Sequence, residues 1–115
     1  MAANVTRVTA PLNALSGEIT AVALSSAGKT VDFEGKDGYT LIILTCTAND
    51  TVTIVGGNGE KGIADMTLSL TANKTYAIIL DSAYFMQVSG TNKGMVVIKG
   101  ASTTSVEAIE VGLGR

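Results

Sequence analysis

The chain has 115 residues, enough for one hydrophobic core and too few for two. Apolar residues make up 46%, which excludes a disordered chain, and the net charge of −2 comes from eight basic and ten acidic residues scattered without a cluster. That scatter excludes the electrostatic footprint of a nucleic-acid or anionic-membrane binder. With two Phe, three Tyr and no Trp, the core must be aliphatic and thin for its length, while thirteen Gly add entropy cost. A core of this kind gains stability from neighbours, so a homo-oligomer is expected, a trimer being one arrangement.

The first eighteen residues are read as an N-terminal arm and residues 19–115 as a single β domain. Val5-Thr6-Arg7-Val8-Thr9 alternates, but Pro11 and Leu12 to Gly17 break any regular element. With no strand partner in view, the arm's Val5, Arg7, Val8, Leu12 and Leu15 are the candidate partner-binding residues. Ile19–Leu24 and Thr30–Phe33 read as short strands, the second followed by the Gly35-Lys36-Asp37-Gly38 turn. Tyr39–Thr47 is a near-continuous run of Ile, Leu and Thr, the pattern of a central strand covered on both faces. Ala48-Asn49-Asp50 reads as a hairpin connector to the alternating Thr51–Val55, and a glycine-rich loop, Gly56–Gly62, follows. Thr67–Thr71, Thr75–Leu80, Tyr84–Val88 and Met95–Lys99 are further strands, and Val106–Val111 is a strand or one short helix. Turn signals every eight to twelve residues predict an all-β fold, an antiparallel β-sandwich or small barrel of jelly-roll type, carrying an extended N-terminal arm.

Candidate chemistry is sparse. Gly57-Asn58-Gly59-Glu60-Lys61-Gly62 matches G-x-G-x-x-G after a strand, with Asp81 about 24 residues on, as in a dinucleotide site. Thr67–Thr71 is better strand than helix, however, and leaves no room for the crossover that such a site needs. The loop reads instead as a flexible surface connector. The absence of His excludes Ser-His-Asp triads, Cys-His pairs and His-based metal sites. Asp32 and Glu34 share a strand face, but beside a glycine-rich turn and without aromatic platforms they read as a solvated strand end rather than a glycosidase pair. Asp50, Asp65 and Asp81 form no D-x-D-x-D-G loop. Cys46 reads as a buried small hydrophobe, Tyr84-Phe85-Met86 as core with an exposed binding patch as the alternative, and the sequons at Asn4, Asn49 and Asn73 as accidents of a Thr-rich sequence. No cofactor and no enzymatic activity are expected. The N-terminus lacks a signal-peptide layout and the longest apolar run cannot span a bilayer, so cytoplasmic synthesis without membrane association is expected.

From Asp37 to Val111 the order of features is an Ile/Leu strand, an Asn/Asp turn, Thr-Val-Thr-Ile, a glycine-rich loop, Leu-x-Leu-Thr-Ala-Asn-Lys-Thr-Tyr, Phe-Met-Gln-Val and Gly-x-Val-x-Ile. This order resembles the small β-sandwich head proteins of tailed bacteriophages, the decoration or cement proteins. The resemblance covers about two-thirds of the chain and rests on patterning and turn residues. It implies a structural virion protein on the capsid surface, bound to the major capsid protein and bracing the lattice. The alternative is a non-catalytic binding module of a phage tail or surface fibre, taking a carbohydrate or a receptor.

Overall fold

The computed structural model describes residues 3–33, 40–59 and 62–111. Nine strands and one helical turn follow in order. They are β1 (Arg7–Ala10), β2 (Val22–Ala23), β3 (Lys29–Val31), β4 (Thr40–Cys46), β5 (Asp50–Ile54), β6 (Met66–Leu70), β7 (Lys74–Ile78), α1 (Ser82–Phe85), β8 (Val96–Lys99) and β9 (Thr104–Val111). They build two separate sheets packed as a sandwich, not a barrel. One has the order β1-β9-β4-β7 with β2 also on β9, and the other β3-β8-β5-β6. Taking β2 with β9-β4-β7, two four-stranded sheets face each other and every connection from β2 onward crosses between them except β5–β6. This is the wiring of a jelly roll.

The alternation seen in the sequence sets the core. Ile42, Leu44 and Cys46 of β4, Val106 and Ala108 of β9, Val52 and Ile54 of β5, and Val96 and Ile98 of β8 point into the space between the sheets. Phe33 and Phe85 are the aromatic residues in this buried cluster, so the core is aliphatic, as the composition requires.

Several local expectations are corrected. Ala48-Asn49 does not close a hairpin, because β4 pairs with β7 and β9 while β5 lies in the other sheet. The crossing is fixed by hydrogen bonds to the neighbouring crossings: Thr47 N to the Thr103 carbonyl (3.0 Å) and Ala101 N to Asp50 Oδ2 (3.0 Å). Tyr84–Val88 is not a strand. Asp81 Oδ1 accepts from Ala83 N (2.9 Å), which starts the turn α1, and only Met86 bridges to Val96. Of Ile19–Leu24 only Val22–Ala23 pairs, and Val106–Val111 is strand throughout.

The N-terminal segment has a strand partner after all. β1 runs parallel to β9, Arg7 opposite Ala108 and Ala10 opposite Val111, so the first sheet is mixed rather than antiparallel. Two residues earlier, Val5 bridges Val31 of the other sheet, its N–H donating to the Thr30 carbonyl (3.0 Å). Asn4 and Thr30 bond reciprocally: Asn4 N to Thr30 Oγ1 (3.0 Å) and Thr30 N to Asn4 Oδ1 (3.1 Å). Residues 4–10 therefore pass from one sheet to the other and close one open side of the sandwich. Of the described residues before β2, the long stretch outside regular structure is the connector 11–21.

Candidate interaction surface

Strand direction sorts the connections into two ends. At one end lie the β2–β3, β4–β5, β6–β7 and β8–β9 turns, tied together through Gly100 N to Ser25 O, Asn73 N to Cys46 O and Leu24 N to Thr104 O. Residues here are small and polar. Asn49, Asp50, Thr51, Ser69, Leu70 and Thr71 line an open groove of 440 Å³. Beside it the Thr71 N–H donates to Tyr76 Oη (3.1 Å) and pulls that phenol below its ordinary pKa.

The other end carries the β5–β6 and β7–β8 connections, and the 11–21 connector departs from it at Ala10, level with Val111. Here the described part of the glycine-rich loop is packed, not loose. The Tyr84 carbonyl accepts from Gly57 N (2.8 Å), Asn58 Oδ1 accepts from Val88 N (2.7 Å), Asp65 Oδ1 accepts from Gly56 N (2.8 Å), and Gln87 Nε2 donates to Gly56 O (2.9 Å). Its glycines are explained by backbone crowding. A Cβ on Gly56 would stand 1.8 Å from the Ile63 carbonyl oxygen, and one on Gly62 1.9 Å from that of Gly57. The loop joins two antiparallel strands and opens no helix, so the G-x-G-x-x-G match has no phosphate cradle behind it.

Seven large apolar side chains stand exposed among the described residues. Ile63, Tyr84 and Val88 sit on this loop platform, Ile79 and Val111 at strand ends facing it, and Leu12 and Leu15 in the departing connector. Leu15 is 96% exposed and Leu12 62%. Monomeric surfaces scatter such residues singly, and a one-sided set marks an interaction surface.

The five arm residues divide. Val5 is core at 1% exposure. The Arg7 guanidinium is nearly buried, 3.1 Å from Glu110 and donating to the Phe33 carbonyl (3.2 Å), so both residues hold the fold together. Val8 lies on the outer sheet face, and Leu12 and Leu15 project from the connector. Tyr84 belongs to the exposed set, the alternative to the core reading of Tyr84-Phe85-Met86, and Phe85 alone of the three is buried.

The carboxylates do not converge. Asp50 sits at the polar end, where its Oδ2 also accepts from Thr104 Oγ1 (2.6 Å), while Asp65 and Asp81 cap separate turns at the other end. No group of three metal-ligating side chains occurs among the described residues. Glu34, and with it the Asp32–Glu34 pair, lies outside the described residues. Cys46 is buried, its thiol donating to the Thr71 carbonyl (3.0 Å). Among the described residues no helix is long and apolar enough to cross a membrane. No family model, curated protein or solved structure matches the chain.

Proposed function

We propose that this protein is a structural decoration protein that binds the outside of a phage capsid lattice through its major capsid protein and braces it. The observation that carries the reading is the set of exposed apolar residues toward one end: Ile63, Tyr84 and Val88 on a packed loop platform, with Leu12 and Leu15 in the connector that departs from that end. A pinned platform loses little entropy on docking, and the connector adds two leucines that the chain itself leaves uncovered. The order of sequence features and the jelly-roll wiring support the same reading, though that wiring also serves other surface-binding proteins. The reading is tested by co-sedimentation with particles assembled from the capsid protein encoded nearby. Wild-type protein should pellet with the particles, and Leu12→Ser/Leu15→Ser and Tyr84→Ser should weaken retention at least about tenfold while staying folded. Undiminished retention of both variants would refute the docking surface, and no retention of wild type would refute the function.

The open polar groove at the opposite end favours a second reading, a non-catalytic binding module of a tail or surface fibre. Its hydroxyl and amide groups suit a neutral sugar, and calorimetric titration with a saccharide panel separates the two readings.

A further inference from the structure

The two outer faces of the sandwich differ in a way the monomer does not account for. On the four-stranded sheet, register places Lys99, Thr53 and Thr67 in one outward row and Thr51 and Ser69 in the next. That is the polar outside expected of a sheet with one solvated face. On the five-stranded sheet, Val8, Ile109 and Leu41 form one outward row across β1, β9 and β4, Ile43 stands between Glu107 and Ala77 in the next, and Ser105, Thr45 and Thr75 make a polar third. Ile79 and Val111, both exposed, extend this face at its rim. No helix or second layer covers it among the described residues. The run Leu41-Ile42-Ile43-Leu44 is thus written for a strand buried on both sides, and the chain buries one.

We infer that this face is the contact between two copies of the chain, packed sheet against sheet about a two-fold axis. Four strands about 4.8 Å apart and three or four outward positions about 6.6 Å apart give a flat footprint of roughly 400 Å² per copy. The exposed rim residues Ile79 and Val111 add to it, toward the roughly 800 Å² of accessible surface that each partner buries in a stable complex. Glu107 is the one charged residue among these rows, so the face offers nothing for a charged partner to match, and a second apolar sheet packs on it at about 10 Å. An axis through the Val8–Ile109–Leu41 row keeps the two Glu107 carboxylates about 13 Å apart, on opposite sides of the contact.

The inference stands without the capsid reading, and its test is mass in solution without particles. Sedimentation velocity over a wide concentration range should show a dimer. Ile43→Lys should raise the dimer dissociation constant at least about tenfold, bringing the mass down to the monomer's, with an unchanged far-ultraviolet spectrum. Thr53→Lys, on the polar outer face, should leave the dimer intact. Independently, Ile109→Cys in a Cys46→Ala background should be joined into a covalent dimer by a short bis-maleimide cross-linker, because facing sheets about 10 Å apart are too distant for a direct disulfide. A wild type that stays monomeric at the highest concentration, a stable species larger than a dimer, or a dimer that survives Ile43→Lys would each overturn the inference.

Discussion

Replacing Glu110 by alanine removes the carboxylate that faces Arg7 at 3.1 Å, where the two side chains are only 14% and 8% exposed. Breaking a buried ion pair from one side costs about 3–5 kcal/mol, because the remaining charge stays desolvated. Arg7 keeps the Phe33 carbonyl at 3.2 Å and the Thr40 hydroxyl at 3.5 Å, and part of the pair touches water. The expected loss is therefore smaller, about 2–3 kcal/mol. At about 4–5 °C per kcal/mol for a domain of this size, the melting temperature should fall by about 8–15 °C. Urea unfolding followed by far-ultraviolet circular dichroism measures the loss. Lys99→Ala, on the polar outer face of the other sheet, serves as the control and should change stability by less than about 0.5 kcal/mol. Arg7→Met combined with Glu110→Leu should recover most of the loss, because no charge is then left buried. A Glu110→Ala variant no less stable than Lys99→Ala would refute the claim that residues 4–10 are integral to the sandwich.

Gly56→Ala should cost about 3 kcal/mol or more, since its Cβ meets the Ile63 carbonyl. Gly90→Ala, strained only by its φ of 89° with open space around it, should cost about 1–2 kcal/mol, and equal costs in denaturant unfolding would contradict the packing of the loop. Asp50→Ala should destabilise by about 2 kcal/mol in the same assay, because the fully buried Thr104 hydroxyl loses its acceptor. Cys46 should react with a thiol reagent only at the rate of global opening; fast labelling of the native protein would contradict its burial. On alkaline titration the Tyr76 phenolate should form below the ordinary range of a tyrosine, and Tyr76→Phe should remove that step. The lowered pKa means that the stability tied to this group is present above the unfolded-state value and lost as pH falls through the folded one. At neutral pH the linkage contributes nothing.

The sequence disclosed those elements whose partners lie close or whose pattern is strong. β5 and β6 follow their alternating residues, and β4 and β8 their apolar runs. The pairing of β1 was hidden because four residues of Arg-Val-Thr-Ala carry little signal and their partner strand lies some hundred residues away. Asn49 and Asp50 announced a turn, but turn chemistry says nothing about which sheet the chain enters next. Tyr84-Phe85-Met86 has strand propensity, and the Asp81 cap overrode it, turning Tyr84 outward. The proposed interaction surface was half legible. Leu12 and Leu15 were visible as apolar residues outside any element, and Leu41–Leu44 as a strand wanting cover on both sides. Ile63 and Val88 gave no signal, because only the folded loops bring them to one end.

The capsid-binding claim is tested most directly by electron microscopy of particles incubated with the purified protein. The account predicts added density at regular lattice positions on the outer shell, with the end bearing Ile63, Tyr84 and Val88 against the capsid. A bare shell at saturating protein, or density confined to a tail or fibre, would contradict it.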